Sequence, residues 1–222
     1  MEALRNTRVI IFGVGGVGSY AAECLIRTGL THLTIVDGDT VQPSNLNRQL
    51  PATRATIGMP KVEALKARLQ EINPEADIVA IHAMYEGQKD DVQRMAKGTI
   101  YDFEKYDYII DAIDSVNDKT HLIINATRAR VRIFSSMGAA LRFDPTKVTT
   151  GELMSIQGDA LAKAVRARMK KLDIHPFRKV RCVYSTEPAQ RCETRGSLMQ
   201  VTAVFGLTLA GLVIQEIKKQ QK

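Results

Sequence analysis

Apolar and polar positions follow two alternating patterns along the first 135 residues. Short apolar runs are typical of strands buried in a parallel sheet, and segments with apolar residues at helical spacing separate these runs. This alternation predicts an α/β, Rossmann-like fold, in which helices cover both faces of a mainly parallel sheet. The predicted strands are Arg8–Phe12, Leu33–Val36, Ile78–Ile81, Tyr108–Asp111 and Val131–Ser135. The predicted helices are Gly16–Thr28, the segment between Pro60 and Pro74, and Lys119–Arg130.

The pattern becomes less regular after Ser136, and we predict a C-terminal extension over residues 137–222. We expect this extension to pack on the first part of the chain, so that residues 1–222 form one domain. Its predicted elements are strands at Leu141–Phe143 and Val148–Met154, a basic helix at Asp159–Leu172, an irregular crossover loop at 173–197 and a closing apolar helix at 198–219.

The composition is that of an ordinary folded protein. With 45% apolar and 25% charged residues, a disordered or fibrous chain is excluded. The three cysteines, Cys24, Cys182 and Cys192, lack CxxC spacing, which excludes a zinc ribbon and predicts a reducing, cytoplasmic location. The apolar centre of the closing helix, Val201–Ile214, is shorter than the ~20 residues of a bilayer span, so no membrane span is expected.

A glycine-rich turn connects the first predicted strand to the first predicted helix. Its glycines are Gly13, Gly15, Gly16 and Gly18, in a GxGxxG pattern. Glycines in this place allow a tight turn and let backbone N–H groups at a helix N-terminus approach a phosphate. Asp37 ends the second strand 19 residues after Gly18, where a carboxylate can accept hydrogen bonds from a ribose. The turn therefore predicts a nucleotide site, and by itself it favours a nicotinamide cofactor.

The residues that follow Asp37 favour a triphosphate instead. Arg48 has a planar guanidinium group with several N–H donors, and Lys61 has a compact ammonium group at the start of a helix. Both groups are suited to bind phosphoryl oxygens. Asp111 and Asp114 end the fourth strand, at the carboxyl edge of the sheet where such folds bind ligands. Because a carboxylate beside a triphosphate is a natural ligand for Mg²⁺, the set predicts a triphosphate–magnesium site.

Four sequence blocks together resemble the ubiquitin-activating-enzyme superfamily, which includes the bacterial ThiF/MoeB/HesA adenylating proteins. They are the glycine-rich turn, Asp-x-Asp-x-Val-x-x-Ser-Asn-Leu-x-Arg-Gln from Asp37, Gly-x-Pro-Lys from Gly58 and Asp-x-x-Asp from Asp111. The blocks occur in the superfamily's order and spacing. The resemblance implies a single ATP-binding adenylating domain that uses ATP and Mg²⁺.

The resemblance also implies a role for each matched side chain. The glycine-rich turn would cradle the ATP phosphates, Asp37 would hold the ribose, and Asp114 would bind Mg²⁺. Arg48, Lys61 and Asp114 would be catalytic, because they stabilise charge on the phosphates. The further residues implied in nucleotide binding are Asp39, Asn45 and Gln49.

Three passages resemble one branch of the superfamily, the tRNA threonylcarbamoyladenosine dehydratases. They are Ile109–Val116, Cys182–Glu187 and Gly196–Gly206, and the chain lacks the paired CxxC zinc motifs usual in relatives that activate sulfur-carrier proteins. The resemblance implies ATP-dependent dehydration, a cyclisation through an acyl-adenylate, of threonylcarbamoyladenosine in tRNA. It also implies a homodimer and allows a protein partner of the cysteine-desulfurase type. Because only Met1–Thr7 precede the first strand, the N-terminal helix usual in the superfamily is predicted to be missing or reduced.

Three other functions stay open at this point. They are an adenylating enzyme for a ubiquitin-like sulfur carrier, a nicotinamide dehydrogenase, and a nucleotide-gated RNA-binding protein without turnover. Cys182 has two interpretations as well, either a reactive thiol beside Lys179 and Arg181 or a buried packing residue.

One span carries the whole excess of positive charge. From Lys163 to Arg195 there are ten basic and three acidic residues, and ten minus three equals the net charge of +7 of the entire chain. We predict that this span lies beside the active site and contacts tRNA, the alternative being a solvated basic helix. The predicted tRNA-binding residues are Arg166, Lys170, Lys171, Arg178, Lys179 and Arg181.

Overall fold

Seven strands form one sheet in the computed structural model of the chain, which describes residues 2–86, 101–190 and 196–220. The strands are β1 (Arg8–Phe12), β2 (His32–Val36), β3 (Asp77–Ile81), β4 (Tyr108–Asp111), β5 (Arg132–Ser136), β6 (Val148–Glu152) and β7 (Arg181–Ser185). Their order across the sheet is β3-β2-β1-β4-β5-β7-β6, and all neighbours are parallel except β6 and β7. The predicted α/β fold with a mainly parallel sheet is confirmed.

The predicted helices are also found, with ends shifted by three residues at most. Two of them begin at side chains that cap the first turn: Ser115 Oγ accepts the N–H of Asp118, and Asp159 accepts that of Ala162. The helix before β1 has four residues in this chain. The helices in the described residues are α1 (Glu2–Arg5), α2 (Gly18–Thr28), α3 (Lys61–Ile72), α4 (Val116–Arg128), α5 (Ala160–Leu172) and α6 (Met199–Gln220).

Both faces of the sheet are covered, because successive side chains of a strand point to opposite sides. Val9 and Ile11 of β1 pack with residues of α2, α3 and α6, whereas Ile10 and Phe12 pack with residues of α4 and α5. All four side chains are fully buried. This explains why β1 is a continuous apolar run rather than an alternating one.

Two predictions for the C-terminal part are wrong. Leu141–Phe143 is not a strand, and Leu141 has a φ of 60°, in the left-handed region that interrupts strand pairing. Residues 173–197 are not irregular throughout, since they contain β7, whose short apolar stretch between charged residues gave little periodic signal. Two strands of the extension predicted at 137–222 belong to the same sheet as β1, and the division of the chain at residue 137 stays a prediction.

Helix α6 packs along α2 and supports the glycine-rich turn. The two helices lie close together at Gly206, where a Cβ would collide with the carbonyl oxygen of Val17. By length and composition alone, α6 is the one described helix that could cross a membrane, with a mean hydropathy of 1.5. Half of that apolar window is buried within the protein, as in the core helix of a folded domain.

The parallel strands give the sheet two different edges. Their C-terminal ends meet at one edge, here called the carboxyl edge, and their first residues meet at the other, the amino edge. The chain proceeds outward from β1 to β3 on one side and from β4 to β7 on the other, so the switch point lies between β1 and β4. Folds of this kind bind ligands at the carboxyl edge, beside the switch point.

Candidate active site

The glycine-rich turn follows β1 at the carboxyl edge, next to the switch point. Gly13 has a φ of 84°, which favours glycine, and a Cβ there would lie 2.8 Å from the carbonyl oxygen of Ala112. The turn therefore touches the backbone that follows β4. Helix α2 begins at Gly18, and the first turn of a helix leaves backbone N–H groups without intrahelical partners. The place predicted for phosphates is thus suited to an anion.

Asp37 is bonded to this turn. Its Oδ2 accepts the N–H of Val14 at 2.8 Å, and its Oδ1 accepts the N–H of Asp39 at 2.9 Å. Each carboxylate oxygen has a second lone pair, so a ribose hydroxyl can still donate to it. The sequence predicted only the ribose contact, whereas the structure shows that Asp37 also holds the glycine-rich turn in place.

The side chain of Gln49 borders the turn at Gly15. Its amide lies 3.4 Å from the position that a Cβ of Gly15 would take. The side chain is buried, and its Oε1 has no hydrogen-bond partner among the described residues. An unpaired buried polar atom is destabilising unless a ligand or water satisfies it, so this amide fits a polar ligand at the turn.

Arg48 and Asn45 lie on the segment between β2 and α3. The Nη1 of Arg48 donates to the Oδ1 of Asn47 at 2.8 Å, and the amide of Asn47 donates to the carbonyl oxygen of Ser197 at 2.9 Å. These contacts connect the Arg48 guanidinium to the start of α6, beside an open cavity of about 730 Å³. Asn45 is buried, and its Oδ1 accepts the N–H of Gln42 at 3.0 Å, which makes it a local cap.

Lys61 is buried and forms an ion pair. Its side chain is 7% exposed, and its Nζ lies 2.6 Å from the Oδ2 of Asp39, whose side chain is 52% exposed. Sequence reasoning did not foresee this pair. An ammonium group has three donors, so one ion pair directs Lys61 without using all of its capacity to bind a phosphate.

The two acidic residues at the end of β4 have opposite surroundings. Asp111 is fully buried, and its Oδ2 lies 2.7 Å from the Nζ of Lys119. Asp114 is exposed and makes no hydrogen bond or ion pair with another described residue. Asp111 is therefore unavailable as the second cation ligand that the sequence allowed, while Asp114 is available. One free carboxylate beside a phosphate site fits the way in which Mg²⁺ is commonly bound.

The comparison with known proteins decides the family. The ThiF family matches the chain over residues 1–222. The chain belongs to the ThiF family. It is 38% identical over 189 residues to the tRNA threonylcarbamoyladenosine dehydratase of Bacillus subtilis. The matched region covers 84% of this chain and 70% of the relative.

Solved structures and a second kind of relative refine this family assignment. The ThiF-family chain matches the crystal structure of the E. coli tRNA N6-threonylcarbamoyladenosine dehydratase TcdA in complex with ATP, with a TM-score of 0.87 and 32% identity, over 99% of this chain and 89% of TcdA. It is 36% identical over 143 residues to the molybdopterin-synthase adenylyltransferase of E. coli, covering 64% of this chain and 53% of that protein. The dehydratases thus match more of this ThiF-family chain than the adenylyltransferase does.

Three predicted tRNA-binding residues lie at the opposite edge of the sheet. Arg181 is the first residue of β7 and pairs with Phe134 of β5, and Arg178 and Lys179 come shortly before it. The three border a groove of about 370 Å³ at the amino edge, together with Arg132 and Glu216. In the sheet register, Arg181 is level with the middle of β5, and Arg178 and Lys179 lie further toward Arg132 at the start of β5. Arg178 and Lys179 therefore lie toward the amino edge, and the placement of the basic span beside the active site stays a prediction.

The basic residues of α5 differ in their exposure. Arg166 is half-buried and donates to the carbonyl oxygen of Leu153 at 2.9 Å, so it supports the fold. Lys170 and Lys171 are exposed in the last turn of α5. Of the other basic residues of the span, Arg191 and Arg195 lie outside the described residues.

Cys182 is a packing residue. Its side chain is fully buried in β7, and burial raises the pKa of its thiol well above the ordinary value. The thiolate is the nucleophilic form of cysteine, so the interpretation of Cys182 as a reactive thiol is wrong.

Proposed function

We propose that this ThiF-family chain catalyses the ATP-dependent dehydration of threonylcarbamoyladenosine in tRNA. The arrangement at the switch point carries the proposal. The glycine-rich turn, the amide of Gln49 with its unpaired oxygen and the free carboxylate of Asp114 all lie at the carboxyl edge. The similarity to dehydratases over most of the chain supports tRNA as the substrate rather than a carrier protein.

In the proposed reaction, the threonyl carboxylate of the modified nucleoside attacks the α-phosphate of ATP. A P–O bond forms, and pyrophosphate leaves with the electron pair of the bond that breaks. The carbamoyl group of the same modification then attacks the acyl-adenylate, AMP leaves, and a ring closes. The net result is the loss of water from the nucleoside, driven by conversion of ATP to AMP and pyrophosphate.

The residues of the carboxyl edge contribute mainly position and charge. Asp37 and the glycine-rich turn bind the ribose and the phosphates, which places the α-phosphate for attack. Arg48 and Lys61 stabilise the negative charge that develops on the phosphates. The ion pair with Asp39 holds Lys61 in one direction before ATP arrives, so little reorganisation is needed.

Asp114 would hold a Mg²⁺ ion together with the ATP phosphates. When bound, the ion neutralises charge on the transferred and leaving groups. No cluster of three or more His, Cys, Asp or Glu residues suited to enclosing a metal occurs among the residues that the structure describes. A site that depends on one side chain and the substrate's own phosphates is the usual arrangement for Mg²⁺.

For the tRNA surface, we propose the exposed basic residues that extend from the end of α5 to the start of β7. All five are exposed, and three of them line one groove at the start of β5, which suits the phosphate backbone of an RNA. Because Arg178 and Lys179 lie toward the amino edge, they would hold the body of the tRNA while the modified nucleoside reaches the carboxyl edge. These residues are Lys170, Lys171, Arg178, Lys179 and Arg181.

A homodimer, a partner of the cysteine-desulfurase type and a cytoplasmic location stay predictions from the sequence. Adenylation of the C-terminus of a ubiquitin-like sulfur carrier is the alternative function, since it would use the same nucleotide site. The shorter match to the adenylyltransferase gives it less support.

Two measurements separate these functions. Mass spectrometry of nucleosides from threonylcarbamoyladenosine-containing tRNA, incubated with the protein and ATP, should show loss of water from the modified nucleoside. Pyrophosphate exchange that requires a carrier protein and ignores tRNA would favour the alternative. Calorimetric titration should show binding of ATP and no comparable binding of NAD, and the reverse result would indicate a dehydrogenase.

A further inference from the structure

A buried ion pair lies next to the loop that carries Asp114. The side chains of Asp111 and Lys119 are both 0% exposed, with the Nζ of Lys119 at 2.7 Å from the Oδ2 of Asp111. The hydroxyl of Ser135 donates to the same Oδ2 at 2.5 Å, and the Oδ1 of Asp111 accepts the N–H of Ile113 at 3.1 Å. The carboxylate is therefore bonded on both oxygens by the protein itself.

Stability alone does not explain this pair. Removing two ions from water offsets most of their mutual attraction, and an apolar pair of similar volume is often at least as stable. Lys119 also lies on the core-facing side of α4. Leu122, Ile123 and Ala126 follow it at helical spacing on the same face, and all three are buried. An apolar residue would pack at that position without any loss of hydration. The ion pair must therefore provide something other than burial.

The pair closes the loop between β4 and α4. Asp111 is the last residue of β4, Lys119 lies in the first turns of α4, and Asp114 lies between them. The bond from Ile113 to Asp111 fixes the backbone directly before Asp114, and the cap at Ser115 fixes it directly after. The exposed carboxylate of Asp114 thus lies on a short segment whose backbone is held by hydrogen bonds on both sides.

We propose that Lys119 and Asp111 are positioning residues that set the Asp114 carboxylate for a divalent cation bound with ATP. The inference rests on the proposed function, because that function assigns Asp114 to the cation. Lys119 holds the Asp111 carboxylate, Asp111 holds the N–H of Ile113, and the anchored loop orients Asp114. Neither member of the buried pair touches the nucleotide.

Lys119→Met tests this chain of contacts, because methionine fills most of the same space without the charge. We expect the affinity for Mn²⁺ in the presence of ATP, measured by electron paramagnetic resonance, to fall by about 10-fold or more, as is usual when a group that orients a metal ligand is removed. ATP binding without metal should change by less than about twofold, because the phosphate contacts are untouched. Hydrogen–deuterium exchange should become faster in residues 112–115 and stay unchanged in residues 108–110.

Two further variants separate positioning from stability. Ile124→Ala removes buried apolar contact from the same helix without touching the ion pair, so it should lower the melting temperature and leave Mn²⁺ affinity unchanged. Lys119→Met combined with Asp111→Leu should regain the melting temperature of the parent or exceed it, yet keep the weak Mn²⁺ binding. If Mn²⁺ affinity instead follows the melting temperature in all variants, the pair is only structural and the inference is wrong.

Ser135→Ala is the milder variant if Lys119→Met does not fold. It removes one donor to Asp111 and leaves the ion pair, so a smaller loss of Mn²⁺ affinity in the same direction is expected. Unchanged affinity and unchanged exchange in residues 112–115 would overturn the inference. If the parent protein binds Mn²⁺ with ATP but does not convert the tRNA nucleoside, the proposed function fails, while the comparison of Mn²⁺ affinities still decides the role of Lys119.

Discussion

The two edges of the sheet carry different kinds of chemistry. At the carboxyl edge, few charged side chains are involved and most have a defined partner, as in the contacts of Asp37 with the glycine-rich turn and of Lys61 with Asp39. At the amino edge, Arg178 and Lys179 are exposed and form no ion pair with another described residue. The carboxyl edge is suited to hold one small ligand in a fixed position. The amino edge instead presents several positive charges, whose attraction for a polyanion adds up.

This difference has a physical consequence for substitutions. A reaction at the carboxyl edge depends on the position of single groups, so one changed side chain can remove most of the rate. Binding of a polyanion at the amino edge is shared among several charges, so each change has a small and salt-dependent effect.

Asp114→Ala should abolish most ATP turnover while the protein stays folded. Loss of the free carboxylate of Asp114 should slow AMP formation by about 100-fold or more, which is about 2.7 kcal/mol of transition-state stabilisation. Asp77→Ala is the matched control, since it removes an exposed carboxylate at the amino edge. Initial rates of AMP formation in the presence of tRNA measure the effect, and a rate within about threefold of the parent would remove Asp114 from the mechanism.

Asp37→Ala should weaken ATP binding rather than abolish it. The lost ribose hydrogen bond to a charged acceptor corresponds to about 1.5–3 kcal/mol. The variant also loses its bonds to Val14 and Asp39, so a lower melting temperature should accompany the weaker binding. Calorimetric titration of ATP gives the dissociation constant, and an unchanged value would place the ribose elsewhere.

Gly206→Ala and Gly211→Ala compare two positions of the same helix. A Cβ at Gly206 would collide with the carbonyl oxygen of Val17 below the glycine-rich turn, whereas nothing lies within 4 Å of a Cβ at Gly211. We expect Gly206→Ala to destabilise the protein by about 1–3 kcal/mol through overpacking. Gly211→Ala should stabilise it by about 0.4–1 kcal/mol. Urea unfolding measures both, and equal effects of the two substitutions would contradict the close contact.

The smallest effect is expected for Arg178→Ala combined with Lys179→Ala at the amino edge. Removal of two phosphate contacts should weaken tRNA binding and lower the slope of log K against log salt by about two, while ATP affinity is unchanged. Lys66→Ala combined with Arg54→Ala removes the same charge outside the groove and should have less effect. Filter binding over a range of salt concentrations tests this, and an unchanged slope would mean that tRNA lies on another surface.

The structure of the carboxyl edge could be predicted from the sequence more completely than the other parts of the molecule. β1, the glycine-rich turn and Asp37 follow from apolar runs, glycine spacing and the order of strands, all of which are local signals. The pairing of Lys61 with Asp39 depends on the path of the chain between β2 and α3, which spacing does not contain. The unusual position of Lys119 could be recognised from the sequence, because it is a charged residue on an apolar helix face. Only the structure shows that Asp111 is its partner.

The sequence could not place Arg178 and Lys179 relative to the sheet, for a topological reason. A net charge summed along the sequence does not say at which edge of the sheet the charges lie. Because β7 is parallel to β5, the residues directly before Arg181 must return to the amino edge. The sequence did not reveal β7, so this return could not be anticipated.

We propose that the carboxyl edge activates a carboxylate of tRNA with ATP. The most direct test is mass spectrometry of nucleosides from threonylcarbamoyladenosine-containing tRNA after incubation with the protein, with ATP or without it. We expect loss of water from the modified nucleoside only when ATP is present, with AMP formed in equal amount, and conversion slowed by about 100-fold or more in Asp114→Ala. Unchanged nucleosides in the presence of ATP and a folded parent protein would contradict it.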